Sequence, residues 1–145
     1  MAEPTARHSV SVAAAVVNEQ GKVLAIRRPD NGHWEPPGGI LELDESIHEG
    51  LIREVREETG LRVEPERLTG VDKNMRRGIV ALVFGCHVAS GRPRTGTEAT
   101  EIRWLDPEEV AGLMDEAYAV RLLDALRQGA PAIRSHDGRV LVSSG

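Results

Sequence analysis

One cysteine, Cys86, stands in the whole chain, so no intrachain disulfide and no cysteine-built zinc site can form. Aromatic side chains are nearly as scarce: Trp34, Phe84, Trp104 and Tyr118 are all there is. A two-sided stacking sandwich around a nucleobase is hard to build from so few rings. No apolar run is long enough to span a bilayer, and the opening MAEPTARHSV lacks the apolar core of a secretion signal. A basic excess is missing too. Eighteen Lys+Arg against 23 Asp+Glu leave a net charge of −5, which argues against nonspecific binding to nucleic acid or to an anionic membrane. These absences describe a cytoplasmic protein with neither nucleic acid nor membrane as partner. They leave open a phosphate-bearing small molecule, which needs only a local basic pocket or a metal.

What is present is an ordinary globular composition, 40% apolar over 145 residues, the length of one domain. Residues 1–7 read as a disordered lead and 8–145 as a single domain. The Val/Ala run from Ser9 to Val17 and the segment Val23 to Ile26 predict two strands. The turn residues Asn18 to Gly21 between them predict a hairpin. Arg27 to Pro37 reads as a loop. A helix is predicted from Ser46 to Thr59, opened by Ser46 or Asp44, with Glu49 completing a capping box and Gly60 as the left-handed stop. Strands follow at about 62–73 and 78–88, then at Ile102 to Leu105. Asp106-Pro107-Glu108-Glu109 starts a second helical stretch reaching about Gln128, with a break near Asp115. Ile133 to Val142, around Asp137-Gly138, reads as a terminal hairpin. The order suggests a mixed sheet with helices packed on it.

The first helix carries the chemistry. At 100° per residue Glu54, Glu57 and Glu58 share one arc of about 100°, beside an apolar stripe of Leu51, Ile52 and Val55. Like charges at these spacings repel. Arg53 and Arg56 relieve part of that, and a hard divalent cation would relieve more. Periodicity alone fits a solvated, salt-bridged helix face equally well.

The spacing around these acids runs Gly39, Glu45, Arg53-Glu54-Val55, Glu57-Glu58, Gly60-Leu61. It resembles the signature of the Nudix hydrolase family at every fixed position. The resemblance implies an α/β fold, the family's α/β/α sandwich with a mixed β-sheet. It also implies Mg²⁺- or Mn²⁺-dependent hydrolysis of a pyrophosphate bond in a nucleoside diphosphate linked to a group X. On the same resemblance Glu54, Glu57, Glu58 and the Gly38 carbonyl match the metal ligands, and Arg53 the arginine that orients the glutamates. A homodimer is open, since dimers are frequent in the family. Glu98, in the later loop where some members place a base or an extra ligand, is a further catalytic candidate. Asp44 and Gly50 stand where many members have Gly and Ala. Gly50 implies either close packing or simple tolerance.

Substrate residues are less marked. Arg27 and Arg28 end the second strand, and one of the two alternating side chains is expected to face the site. Trp34 either stacks on the substrate or packs its loop. The basic cluster Lys73, Arg76 and Arg77 either attracts phosphates or solvates a turn. The proline of the ADP-ribose branch falls on Arg76 here, and the sole tyrosine, Tyr118, is far from the place where the dinucleoside polyphosphate branch carries one. Elimination leaves a (deoxy)nucleoside triphosphate as the expected substrate, with ADP-ribose or a nucleotide sugar as the alternative. A non-catalytic nucleotide sensor is the alternative of another kind.

Overall fold

The computed structural model describes residues 5–143. The expected disordered lead lies partly outside them: residues 1–4 are not described, and residues 5–8 run up to the first strand without regular structure. Eleven elements follow: β1 (Ser9–Val16), β2 (Val23–Arg27), β3 (Trp34–Glu35), β4 (Gly38–Ile40), α1 (Ile47–Thr59), β5 (Arg62–Asn74), β6 (Ile79–Ser90), β7 (Glu101–Leu105), α2 (Pro107–Leu113), α3 (Glu116–Ala125) and β8 (Ala132–His136). They build two sheets. A five-stranded mixed sheet has the order β4-β1-β6-β5-β8, and a three-stranded antiparallel sheet has the order β3-β2-β7.

β1 explains why two sheets are needed. Its residues are buried on both faces: Val12, Ala14 and Val16 pack with Leu51, Val55 and Leu61 under α1. Ala13 and Ala15 pack with Leu105, Val110, Met114 and Leu122 under α2 and α3. A strand buried on both sides loses the apolar–polar alternation and reads as a continuous apolar run. Helices therefore cover both faces of the mixed sheet, giving an α/β/α sandwich.

The expected hairpin of β1 with β2 does not form. The two strands pair only through the bridge Val17–Val23 and then part into different sheets, their side chains still packing together in the core. β1 instead lies parallel to β6 along its whole length. Local turn chemistry is satisfied by Asn18, whose side-chain oxygen accepts the N–H groups of Gln20 and Lys22. Pairing beyond the turn is decided by which strand buries both faces. The hairpin of β5 with β6 does form, with register shifts near Pro65. The long second helix breaks in two, with Asp115 as the cap of α3. The terminal segment pairs mainly as β8 parallel to β5, and its return is one bridge, His136–Leu141.

α1 begins and ends as its sequence dictates. The Ser46 hydroxyl accepts the N–H of Glu49, the Glu49 carboxylate accepts the N–H of Ser46, and Gly60 closes the helix at φ 79°. Gly50 is close packing rather than tolerance. A Cβ there would collide with Leu41 Cδ2 and come within 2.8 Å of Glu45 Oε1. Gly50→Ala should therefore lower stability by about 1–3 kcal/mol in urea unfolding, although alanine is the better helix former by about 1 kcal/mol. A stabilised variant would show that Leu41 moves aside freely.

Candidate active site

Three carboxylates converge where α1 meets the loop before β7. Oxygens of Glu54, Glu57 and Glu98 all lie within 4.8 Å of one another. Glu54 and Glu57 are fixed by their helix. Glu98 is brought in by a loop tied at both ends: the Arg94 N–H donates to the Thr59 carbonyl at 2.8 Å, and the Thr100 N–H to the Arg27 carbonyl at 3.0 Å. Between those ties Ala99 is buried and anchors the loop. Gly39 of β4 passes so close that a Cβ on it would sit 2.5 Å from the Glu54 carboxylate. A side chain there would displace an acid of the cluster, which explains a glycine at this position.

Arg53 organises the acids. Its Nε and Nη2 donate to the two oxygens of Glu45 at 2.8 and 2.6 Å. Its Nη1 donates to Glu54 at 3.0 Å and to Glu57 at 3.2 Å. This paired, charge-assisted geometry is specific to a guanidinium. It holds the Glu45 carboxyl down at about 2. Glu54 lies above the ordinary carboxylate range because burial outweighs the help of Arg53.

Glu58, one turn on from Glu54, is buried at 7% exposure. One of its oxygens accepts the Gly38 N–H at 2.7 Å, which links α1 to β4. Burial pushes its carboxyl up to about 8, against the pull of the Gly38 N–H, and the charges of Glu54, Glu35 and Glu98 add to the rise. Glu45, Glu54 and Glu57 thus share Arg53 as their cation, while Glu58 and Glu98 lie near enough to raise the local negative charge. A surplus of carboxylate oxygens with no nitrogen or sulfur donor suits a hard divalent ion such as Mg²⁺ or Mn²⁺.

A cleft of about 220 Å³ opens from Gly38 and Gly39 toward β5, β8 and α3. Of the two arginines at the end of β2, Arg28 lines it, held by Asp30 at 2.9 Å and Glu35 at 3.0 Å. Arg27 does not line it; its guanidinium bonds Glu101 at 2.8 Å and the Gly32 carbonyl at 3.1 Å. Trp34 lies outside the cleft as well. It packs on the core beneath α2 and α3, with Arg103 5.7 Å from its ring centre, and borders a separate hollow beside Met114. Of the pair, Arg28 is thus the one that lines the cleft, and of the two roles open to Trp34 the structure shows it packed on the apolar core. The cleft's other lining residues, Asn74, Tyr118, Arg121 and His136, are absent from the residues marked by sequence. Of the basic cluster, Arg77 lines the cleft.

An α/β/α sandwich with helix-borne glutamates packed against Gly39, a residue of the cleft wall, is the arrangement of a hydrolase acting on phosphate-rich compounds. The comparisons narrow it. The model of the NUDIX domain matches residues 7–126. A MutT-like protein of Streptomyces ambofaciens is 59% identical over 95% of this chain and 90% of its own. The CTP pyrophosphohydrolase of Escherichia coli is 30% identical over 85% of this chain and 97% of its own. A crystal structure of a NUDIX hydrolase from Nitrosomonas europaea shares the fold at a TM-score of 0.77, 23% identical over 92% of this chain and 82% of that one. The chain belongs to the Nudix hydrolase family, and its chemistry is hydrolysis of a pyrophosphate linkage.

The raised Glu58 carboxyl makes the metal-free protein sensitive to pH. Between its ordinary value of 4.5 and its folded value of about 8, the folded chain holds a proton that the unfolded chain has released. The stability so gained is complete below pH 4.5 and lost as pH rises through 8. With a chelator present, the melting temperature should fall across that window, and Glu58→Gln should flatten the fall. Parallel curves for the two proteins would show that another group controls it.

Proposed function

We propose that this protein hydrolyses a nucleoside or deoxynucleoside triphosphate to the monophosphate and pyrophosphate. The convergence of Glu54, Glu57 and Glu98 against Gly39, a residue of the cleft wall, carries this reading. These three would hold Mg²⁺ or Mn²⁺, with Glu58 and the Gly38 carbonyl beside them. When bound, such an ion neutralises pyrophosphate charge and makes its bound water acidic enough to attack at neutral pH.

The chain's own residues do the positioning on which phosphoryl transfer depends. Arg53 locks Glu54 and Glu57 in place through the bonds described above. Gly38 orients Glu58 by its N–H. Gly39 leaves room for the Glu54 carboxylate. Arg28 lines the cleft with its charge shared between Asp30 and Glu35. Glu98 arrives on its own loop, outside the helix, and completes the set of three acids. The substrate class is supported by the triphosphate-cleaving relative from Escherichia coli, which this chain covers almost completely. No described helix is long and apolar enough to cross a membrane, and the reading is of a cytoplasmic enzyme acting on small nucleotides.

Product analysis by chromatography tests it. With Mg²⁺ present, one or more triphosphates should give monophosphate plus pyrophosphate. Cleavage of ADP-ribose to AMP in their place would move the enzyme to another substrate class. Glu57→Gln should cost at least the roughly 10–100-fold that follows loss of a metal ligand's supporting partner. Mg²⁺ should raise the melting temperature of the wild type, by about 2.7 kcal/mol of stability at 100 times its dissociation constant. Glu54→Gln should reduce that gain. A gain that persists in full would place the ion elsewhere.

A further inference from the structure

At the inner end of the cleft, away from the acids, lies a buried polar layer. β8 lies beyond the residues matched by the family model. Its parallel register sets His136 opposite Asn74 and Arg134 opposite Asp72. Alternation along a strand puts Asp72 and Asn74 on one face of β5. From α3, Arg121 brings its Nε to 3.3 Å from Asp72 Oδ2 and lays its guanidinium 5.0 Å from the Tyr118 ring centre. Asp124 takes Arg134 through two bonds of 2.6 and 2.7 Å.

Backbone donors fix what the free groups offer. The Gly138 N–H donates to His136 Nδ1 at 2.9 Å, so that nitrogen carries no proton and the neutral ring carries it on Nε2. Burial and Arg121 hold the His136 ring neutral. His136 is 1% exposed, and its Nε2 has no hydrogen-bond partner. Similarly, the N–H groups of Arg76 and Arg77 donate to Asn74 Oδ1 at 3.0 and 3.1 Å, so the amide presents its NH₂. Asn74, Arg121 and His136 all line the cleft, and all three present donors. The charge of Arg121 is matched by Asp72, and His136 carries none, so among these three no net charge remains; Arg77 lines the same cleft with a charge of its own. Donors without net charge suit a carbonyl oxygen or a bare ring nitrogen better than a phosphate.

We propose that Asn74, Arg121 and His136 form a base-reading subsite that accepts hydrogen-bond acceptors alone and therefore selects keto over amino nucleobases. Guanine offers O6 beside N7, and thymine or uracil offers O4, whereas at the matching position adenine and cytosine carry an amino donor, N6 or N4, beside their ring acceptors. An amino group here would meet donors only, leaving buried donors unpaired on both sides. Sites that hydrogen-bond one substrate group reject analogues lacking it far more strongly than apolar pockets do. The proposal rests on the nucleotide reading above and names its base class.

The test is equilibrium binding of the four monophosphates GMP, UMP, AMP and CMP by calorimetry, which needs no turnover. Wild type should bind GMP and UMP at least about tenfold tighter than AMP and CMP. Asn74→Asp keeps the acceptor for the Arg76 and Arg77 N–H groups and replaces the donor by an acceptor. It should shrink the keto preference or reverse it, and His136→Phe should weaken keto binding with little change for amino bases. Equal binding of all four by wild type, or an unchanged ratio in a folded Asn74→Asp, would overturn the subsite. If a variant fails to fold, the wild-type ratio alone decides. A keto preference without hydrolysis of any triphosphate would uphold the subsite and sink the triphosphate reading.

Discussion

The site depends on one guanidinium among carboxylates. Arg53 spends all three of its nitrogens on Glu45, Glu54, Glu57 and the Ile40 carbonyl. That ties the loop before α1 to the helix and sets the two helical acids side by side. A lysine could not make this fork, because it offers a point charge rather than a planar set of donors. The arginine neutralises only part of the charge it gathers. The excess is what suits the site to a cation and to a pyrophosphate.

Everything around that centre serves to bring it against a cleft. β1, buried on both faces, forces α1 to one side of the sheet and α2 and α3 to the other. Glycines 38 and 39 let β4 pass beneath the acids: a Cβ on the first would strike the Val12 carbonyl, and one on the second the Glu54 carboxylate. The acids lie on one side of β4, and the cleft beside it is lined by donors from β5, β8 and α3.

Much of this could be read from the residues in order. α1, its capping box and its left-handed stop are local features, decided within a few residues, and Ser46, Glu49 and Gly60 take the places expected of them. Helical spacing put Glu54, Glu57 and Glu58 on one arc; the structure groups the first two with Glu98 and leaves Glu58 bonded to the Gly38 N–H. The hairpin of β1 and β2 misled because a good turn at Asn18 is compatible with strands that part beyond it. Trp34 was ambiguous because an aromatic ring beside a glycine-rich loop serves a core as well as a ligand.

By itself the sequence determined the helix that bears the acids, their spacing, the family and the class of reaction. Those follow from contacts between near neighbours and from a motif whose parts are contiguous. Only the tertiary structure decided that Arg28 and not Arg27 enters the cleft, and that Asn74, Arg121 and His136 meet at its inner end. Their meeting rests on a parallel pairing of β5 with β8, and such long-range pairing leaves no periodic trace in the chain. It is set by which surfaces can be buried together once the whole has folded.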